Sequence, residues 1–274
     1  MNLEKEIEAL NQKIDILEAE NERLKRNEID LIEMNASKDK FLAIISHDLR
    51  NPMNTVVGLT ELLERNVERN NFNSIGEYAK YIKQSTQRIK NLLVNLLNWS
   101  ISQNGRMEFN PTEIRLTTII QEVLDLFEEM LKQKKITVEC QCNCHENDQV
   151  IIDKEMISSV IRNFITNAIK FSYPEGKINI SCEGSGETIV FRISDNGVGM
   201  SSTILNNLFK IGEPISNRGT NNETGTGIGL LLCKEFIEKH QGNIEVESEI
   251  GKGSTFKFHL PIRKDIKEPE VVLN

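Results

Sequence analysis

Residues 41–54 have the sequence FLAIISHDLRNPMN, a helical apolar pattern interrupted by one cluster of polar and titratable side chains. His47 and Asn51 are four residues apart, so on a helix they project from the same face, one turn from each other. Asp48 follows His47, and a neighbouring carboxylate can orient a neutral imidazole and accept its proton, which makes the histidine a competent nucleophile. Pro52 removes a backbone hydrogen bond and predicts a kink just below the histidine. Taken alone, the pattern is more typical of a packed or capping histidine, and only segments further along the chain change this balance.

The composition limits the class of protein. With 274 residues, 38% of them hydrophobic, the chain is long enough for one or two domains with a sizeable core. A net charge of −8 argues against binding to nucleic acid but leaves room for a local basic pocket that binds phosphates. An odd number of cysteines, five, without a signal-like N-terminus indicates a reducing compartment and free thiols. No apolar run approaches the roughly 20 residues that span a bilayer.

We therefore expect a cytoplasmic location with no membrane contact within this chain. The expectation covers two cases, this chain alone and the cytoplasmic portion of a longer membrane-anchored sensor, since the sequence begins inside a helical pattern.

The first 35 residues carry a heptad repeat. Isoleucine at the first and leucine at the fourth heptad position favour two parallel strands, and the single Asn21 at a first position fixes the register. Charged flanking positions favour a dimer seam over an amphipathic helix on a globular core. We predict a parallel coiled coil over residues 1–35 that continues directly into the helix of His47. The seam residues are Leu3, Ile7, Leu10, Ile14, Leu17, Asn21 and Leu24.

A second helix is predicted after the polar stretch NNFNS, because apolar residues from Ile75 to Leu97 recur at helical spacing. Two long helices joined by a short turn form a hairpin, and two hairpins of a homodimer form a four-helix bundle. We assign residues 36–104 to this hairpin, with Trp99 as a core or interface anchor, and residues 105–111 to a linker.

Residues 112–262 change to α/β patterning, and residues 263–274 are predicted to be a flexible tail. Helices before and after a largely mixed sheet predict an α+β two-layer sandwich that follows the all-α coiled coil and hairpin in the sequence. The predicted order is a helix (TTIIQEVLDLFEEMLKQKK), a strand (ITVECQC), a short strand and a helix (VIIDKEMISSVIRNFITNAIKFS), a strand pair (KINISCEG and ETIVFRISD), a helix (GIGLLLCKEFIEKHQ) and a β-hairpin (GNIEVESEIGKGSTFKFHLP).

The CxCxC pattern at Cys140, Cys142 and Cys144, followed by His145, has the residue types of a metal cluster. On a strand, however, alternate side chains share one face, so we favour structural thiols, one of them buried. His240 and His259 are expected at the surface or at a helix end.

Two segments of the α/β part carry polar side chains suited to a nucleotide. Asn163, Asn167 and Lys170 lie on one helix face at spacings of four and three, where amide oxygens suit a hydrated Mg²⁺ and the lysine suits phosphates. Asp195 ends a strand, where its carboxylate can accept a hydrogen bond from an exocyclic amine such as that of adenine. Gly197 follows in DNGVGM, and with Gly199 it lets the backbone approach a flat base.

A second glycine segment, GTGIGL, opens a helix. Gly225, Gly227 and Gly229 expose backbone N–H groups to phosphate at the positive end of that helix. Residues 201–224 have the Ser-, Asn-, Gly- and Thr-rich composition of a mobile lid. Neither glycine segment is a Walker loop or a dinucleotide fingerprint.

In order and spacing, these segments resemble the sensor histidine kinases of two-component signalling over about residues 36–262. HDLRNP resembles the phosphoacceptor box, NFITNAIKFS the N box, DNGVGM the first glycine box, LFKIGEP the phenylalanine box, GTGIGL the second glycine box and GKGSTF the last. The resemblance implies a dimerisation and phosphotransfer hairpin followed by an ATP-binding domain of the Bergerat fold.

The resemblance also implies residue roles. His47 is the phosphorylated nucleophile, Asp48 its general base, and Asn51 the residue that positions water for dephosphorylation of a response regulator. Asn167 is the Mg²⁺ ligand, with Asn163 beside it as a further candidate ligand. The nucleotide-binding residues are Asn163, Asn167, Lys170, Phe171, Asp195, Gly197, Gly199, Phe209 of the lid, Gly225, Thr226, Gly227, Gly229 and Leu230. GEPISNRG replaces the more basic lid segment of many relatives, so a γ-phosphate contact from Lys210 or Arg218 is left open.

Three functions compete. The first is a histidine kinase that transfers the γ-phosphoryl group of Mg·ATP to His47 and then to an aspartate of a separate response regulator, with phosphatase activity on the same partner as an additional role. The second is an ATPase that drives a conformational change; such relatives use a Glu four residues before the metal-binding Asn, and Asn163 here cannot deprotonate water. The third is a non-enzymatic dimer scaffold, which is expected to lack ligands that this sequence retains.

Overall fold

The structure is a computed structural model that describes residues 2–69, 71–103, 108–142, 149–185, 187–210, 219–220 and 228–262. A helical hairpin precedes an α/β domain, as predicted. The hairpin consists of α1 (Asn2–Glu68) and α2 (Ile75–Gln103). The helices of the α/β domain are α3 (Leu116–Lys134), α4 (Lys154–Phe171), α5 (Ser202–Asn207) and α6 (Ile228–Lys239). Its strands are β1 (Thr112–Arg115), β2 (Thr137–Cys142), β3 (Gln149–Ile152), β4 (Lys177–Ser185), β5 (Thr188–Asp195), β6 (Asn243–Glu249) and β7 (Gly253–Pro261).

Helix α1 is continuous from the heptad repeat through the histidine segment, which confirms that the two run into each other. It also continues through Pro52, and the kink predicted there stays a prediction. The described seam positions from Ile7 to Leu24 are exposed, which leaves an apolar stripe outside the core of this chain. None of the described helices is both long enough and apolar enough to cross a membrane.

The two hairpin helices pack through a small apolar contact. Ile45 on α1 and Leu92 and Trp99 on α2 are buried, with Leu49 and Leu96 packed against the core. Trp99 is therefore buried, as both of its predicted roles, core anchor and interface anchor, required. Many other large apolar side chains of the hairpin remain exposed, among them Leu42, Val57, Leu62, Leu93 and Leu97.

The α/β domain is a sandwich of helices on a mixed sheet. The five-stranded sheet has the order β2-β4-β5-β7-β6, in which β2 and β4 are parallel and the other neighbours antiparallel. Helix α4 packs on this sheet, with the ring of Phe164 5.2 Å from that of Phe256. Helices α3 and α6 flank α4. The two-layer architecture and the mixed sheet were both predicted correctly.

Two short elements were not predicted. Strand β1 pairs antiparallel with β3 in a separate two-stranded sheet, with Thr112 opposite Ile152. Helix α5 lies inside the segment that we expected to be a lid. The Ser201 hydroxyl caps it by accepting a hydrogen bond from the Ile204 N–H (3.3 Å), and Leu208 at its end is buried. Residue 104 of the predicted hairpin, residues 105–107 of the expected linker and the tail from 263 lie outside the described residues.

His240 differs from its predicted environment. It lies at the end of α6 as one of its predicted positions required, but it is buried rather than at the surface. Its Nε2 accepts a hydrogen bond of 2.9 Å from the Asp153 N–H, which explains why a polar ring is tolerated in the core.

Candidate functional site

His47 projects from α1 into solvent, with 72% of its side chain exposed. Its Nδ1 lies 3.2 Å from Oδ1 of Asp48, whose side chain is 25% exposed. In the tautomer that carries its hydrogen on Nδ1, the ring donates to the carboxylate and keeps the lone pair of Nε2 for a nucleophilic attack. The hydrogen bond expected between the two residues is therefore present.

A cavity of about 900 Å³ lies between the hairpin and the α/β domain. His47, Asp48 and Asn51 of the hairpin line it together with residues of the second domain. The predicted site residues that the α/β domain contributes to its wall are Asn163, Asn167, Lys170, Phe171, Asp195, Gly199, Gly229 and Leu230. The structure thus brings the histidine and most of the predicted nucleotide residues to one cavity.

The polar face of α4 forms one wall of the cavity. Asn167 Nδ2 donates a hydrogen bond of 3.0 Å to Asn163 Oδ1, which leaves the amide oxygen of Asn167 to accept another partner. Lys170 lies one turn further along α4, with its Nζ 4.5 Å from the centroid of the Phe171 ring. A neutral amide oxygen next to a cation fits Mg²⁺ that keeps water and phosphate oxygens as its remaining ligands.

Asp195 closes the cavity at the end of β5, where it is buried. Burial raises the pKa of Asp195 to about 6, although hydrogen bonds from the backbone N–H groups of Gly197 and Ser254 counteract this effect. The bond from Gly197 is 2.9 Å long and goes to Oδ1. A buried acceptor of this kind suits a ligand that supplies its own N–H donor.

The glycines of the first glycine segment lie close to the backbone of the chain itself, a role that the sequence did not predict. A Cβ on Gly197 would lie 2.1 Å from the Phe171 carbonyl oxygen, and one on Gly199 would lie 1.9 Å from that of Glu249. Both glycines therefore allow close packing against the backbone of the chain itself. Gly199, with φ of +65°, also lines the cavity, whereas Gly197 is not among its lining residues.

Gly229 is required for a contact between two site segments. A Cβ at this position would lie 2.0 Å from Nδ2 of Asn163. The first turn of α6 can therefore approach the polar face of α4 without displacing the Asn163 side chain, because residue 229 lacks a Cβ.

The lid residues only partly join the site. Phe209 is half-buried and packs against the core, and neither it nor the exposed Lys210 lines the cavity. Thr220 is held at the end of α4, where its hydroxyl donates to the Ser172 carbonyl oxygen at 2.7 Å. Three expected phosphate-binding positions and one candidate γ-phosphate contact lie outside the described residues: Gly225, Thr226, Gly227 and Arg218.

One wall of the cavity was missed by sequence reasoning. Helix α2 contributes Gln84, Arg88, Asn91 and Asn95, at successive spacings of four, three and four. This spacing marks one polar helix face and was a readable signal. The partner of that face could not be identified without the tertiary arrangement.

Comparisons with known proteins point in the same direction. Residues 37–105 match the family model of the His Kinase A (phospho-acceptor) domain, and residues 152–264 match that of histidine kinase-, DNA gyrase B- and HSP90-like ATPases. The chain is 31% identical to the adaptive-response sensory kinase SasA of Gloeothece citriformis over 88% of this chain and 62% of that protein. It is 29% identical to the circadian input-output histidine kinase CikA of Synechococcus elongatus over 83% of this chain and 30% of that protein.

Two solved structures share the fold. The histidine kinase AdeS of Acinetobacter baumannii superimposes with a TM-score of 0.63 at 22% identity, over 80% of this chain and 98% of that chain. The histidine kinase ThkA, in a complex with the response regulator TrrA, gives a TM-score of 0.65 at 23% identity, over 84% of this chain and 64% of that chain.

A hairpin with an exposed histidine, followed by an ATPase-type sandwich that shares a cavity with it, defines the class of two-domain protein-histidine kinases. The two family models follow each other in this order and together match more than half of the chain. The chain belongs to the sensor histidine kinases. It spans less than a third of the length of several curated relatives that it matches.

Substitution of Gly229 by alanine tests the contact with Asn163. The new methyl group must displace the Asn163 side chain, so we expect nucleotide affinity to fall about tenfold, equivalent to about 1.4 kcal/mol. Titration with a fluorescent nucleotide measures the affinity. Gly76→Ala is the matched control, since a Cβ there meets nothing within 4 Å. Because alanine favours a helix over glycine, Gly76→Ala should lose neither nucleotide affinity nor thermal stability. Unchanged affinity would contradict the contact.

The carboxyl of Asp195 predicts a pH dependence. A ligand N–H donor favours the ionised form, so nucleotide affinity should decrease as the pH falls through about 6, the pKa of Asp195 in the folded protein. Asp195→Asn should bind about tenfold more weakly at pH 8 and should lose this part of the pH dependence. Ionisation of the nucleotide phosphates affects both proteins equally, so the difference between their two pH curves reports on residue 195 alone.

The same carboxyl group should make the folded state less stable as the pH rises, whereas it should make nucleotide binding stronger. Since the folded-state pKa lies above the ordinary value, the folded protein binds more protons than the unfolded chain in this range, and stability falls as the pH rises through about 6. Asp195→Asn should therefore be at least as stable as the original chain at pH 8 in thermal unfolding. A large loss of stability there would indicate that Asp195 is structural.

Proposed function

We propose that this chain is an ATP-dependent kinase that phosphorylates His47 of its own polypeptide and passes the phosphoryl group to an aspartate of a separate response regulator. The observation that carries this proposal is the shared cavity, lined by His47 on one side and by Asn167 and Lys170 on the other. A volume of about 900 Å³ is sufficient for a nucleotide.

In the proposed transfer step, the residues on the two sides of the cavity have different roles. His47 Nε2 attacks the γ-phosphorus, the new N–P bond replaces the bond to the bridging oxygen, and ADP leaves. Asp48 accepts the Nδ1–H hydrogen bond and stabilises the positive charge that develops on the ring. Lys170 neutralises phosphate charge, since phosphoryl transfer depends mainly on positioning and electrostatic stabilisation.

The nucleotide is held by residues on α4 and at the end of β5. Asp195 accepts a hydrogen bond from the exocyclic amine of adenine, an interaction supported by its burial in the cavity wall. Asn167, with Asn163 beside it, provides the ligand for Mg²⁺, which supplies charge neutralisation at the phosphates. Asn51 lines the same cavity one turn after His47, which suits a role in positioning water for dephosphorylation of the regulator.

A homodimer is part of the proposal. The exposed heptad residues of α1 and the exposed leucines of the hairpin are apolar surfaces that a second copy would cover. The response regulator is proposed to dock on the hairpin near the exposed His47. The complex of ThkA with the response regulator TrrA is a fold-level parallel.

Among the described residues, none is in the position of the base that the competing ATPase function needs. Asn163 occupies the position of the catalytic Glu of such ATPases, and its Oδ1 already accepts a hydrogen bond from Asn167. Among the carboxylates that line the cavity, Asp48 is bonded to His47 and Asp195 to a backbone N–H. Activation of water for hydrolysis therefore finds less support than transfer to His47.

Incubation with γ-labelled Mg·ATP tests the proposed kinase activity. We expect label on the protein that is stable to alkali and lost in acid, as phosphohistidine is, and no label on His47→Ala. His259→Ala is the matched control and should label normally, because His259 lies on β7 beside Glu245 and does not line the cavity. Release of phosphate without labelled protein, equal in His47→Ala, would instead favour the ATPase.

Mixing two inactive variants tests whether each chain phosphorylates its own histidine. His47 and Asn167 of one chain line the same cavity, so a mixture of His47→Ala and Asn167→Ala chains, one of them carrying a size tag, should remain unlabelled after subunit exchange. Label on the Asn167→Ala chain above its own background would show transfer between subunits. Heterodimers isolated through the tag ensure that exchange has taken place.

A further inference from the structure

Two thiols lie beside each other at the edge of the five-stranded sheet. Cys140 and Cys142 both belong to β2, and their Sγ atoms are 3.4 Å apart. In the parallel register with β4 they lie opposite Ile180 and Cys182, so they share one face of the sheet. Neither of them lines the cavity between the hairpin and the α/β domain.

The pair can be reached from solvent. Cys140 is exposed and Cys142 is half-buried. Cys144 and His145 lie outside the described residues, so the expectation that one thiol of the CxCxC pattern is buried stays a prediction. Strand β2 is the first strand in the sheet order and pairs only with β4 among the described strands. It ends at Cys142, so the second thiol belongs to the last residue of the strand.

The spacing of the two residues permits a covalent link. Residues two apart on a strand have Cα atoms about 6.4 to 6.8 Å apart. This separation falls at the upper end of the range that disulfides bridge, about 4.4 to 6.8 Å. The Sγ atoms are already 3.4 Å apart. The Cβ atoms of residues two apart on one strand face are about 6 to 7 Å apart, whereas a disulfide needs about 3.5 to 4.5 Å. Closure therefore requires β2 to bend locally at these residues, which an edge strand can do at its last residues.

We propose that Cys140 and Cys142 form a reversible oxidation site at which a peroxide converts the two thiols into an intrastrand disulfide. The Cys140 thiolate attacks a peroxide oxygen, the O–O bond breaks, and protonation of the leaving oxygen gives one water and a sulfenic acid on Cys140. Cys142 then attacks the Cys140 sulfur, and its proton leaves with the hydroxyl group as a second water. In total, two thiols lose two electrons and one hydrogen peroxide becomes two waters.

Electrostatics supports Cys140 as the attacking thiol. A hydrogen bond from Cys142 lowers the pKa of Cys140 to about 7, and partial burial only partly opposes this effect. The thiolate is the reactive form of cysteine, so a substantial fraction of Cys140 is reactive at neutral pH. Cys142, the hydrogen-bond donor, is then already in position to resolve the sulfenic acid.

Two further cysteines provide an internal comparison. Cys182 and Cys233 are buried, and burial raises the pKa of the Cys233 thiol well above its usual range. Both should resist oxidation under conditions that modify the edge pair.

The experiment treats the purified full chain with hydrogen peroxide and analyses its peptides by mass spectrometry. We expect the peptide that contains Cys140 and Cys142 to lose the mass of two hydrogen atoms, with recovery after dithiothreitol. Cys182 and Cys233 should remain reduced. Independent addition of oxygen to each thiol, a bridge to Cys144 or Cys182, or no reaction at this pair would overturn the proposal.

Serine variants separate the two roles. In Cys142→Ser, the sulfenic acid on Cys140 should persist and react with dimedone, whereas in Cys140→Ser, Cys142 should give little adduct. Equal labelling of the two variants would contradict the assignment of Cys140 as the attacking thiol. The rate of iodoacetamide alkylation at neutral pH in the unaltered chain gives a second measurement, and it should be highest at Cys140.

Discussion

The packing of α4 on the sheet is the interaction on which the site depends. Phe164 is fully buried, with its ring 5.2 Å from that of Phe256 and 6.2 Å from that of Phe258. At about 100° per residue, Asn163 and Asn167 lie to the same side of Phe164, about 60 to 100° away from it. Both are consequently half-buried at the boundary between core and cavity. An aromatic side chain in such a position contributes about 3–5 kcal/mol, so the orientation of the amides is fixed by the core rather than by the site.

The alignment of α4 with α6 is fixed at two places. At one end, Asp153 donates its N–H to Nε2 of His240, while its carboxylate accepts from the N–H groups of Met156 and Asn110. Burial lowers the pKa of His240, and the neutral ring that results is the form able to accept this bond. At the other end, Gly229 lies against Asn163. Asp153 and Asn163 are ten residues apart, and Gly229 and His240 are eleven residues apart. Because the first residue of one pair contacts the last residue of the other, α4 and α6 run antiparallel.

Sequence reasoning was most successful for segments in which a helical pattern repeats many times. Heptads, the apolar repeat of α2 and the four-and-three spacing of Asn163, Asn167 and Lys170 each specify a helix and its faces within one segment. The short β1 and α5 were missed because TEIR and STILNN are largely polar, whereas β3, which is equally short, is marked by the apolar run VII.

Other features depend on contacts between segments that are distant in sequence. The burial of His240, the backbone neighbours of Gly197 and Gly199, and the polar wall of α2 are all of this kind. The residue types were visible in the sequence, but their partners come from elsewhere in the chain. Chemistry could therefore be assigned to residues such as Asp195 from the sequence, while the physical reason for the glycines could not.

The cavity also shows how a signal could act without touching the nucleotide. Its two walls belong to different domains, and the attack on phosphorus that we propose for His47 requires the reacting atoms to come within about 3 to 3.5 Å of each other. Helix α1 is continuous from Asn2 to Glu68, so a rotation of its heptad region is transmitted to His47. Pro52 removes one backbone hydrogen bond five residues after His47, which makes bending easiest there. Since a displacement of about 1 Å can change a rate by about a hundredfold, a small tilt of the histidine wall suffices for control.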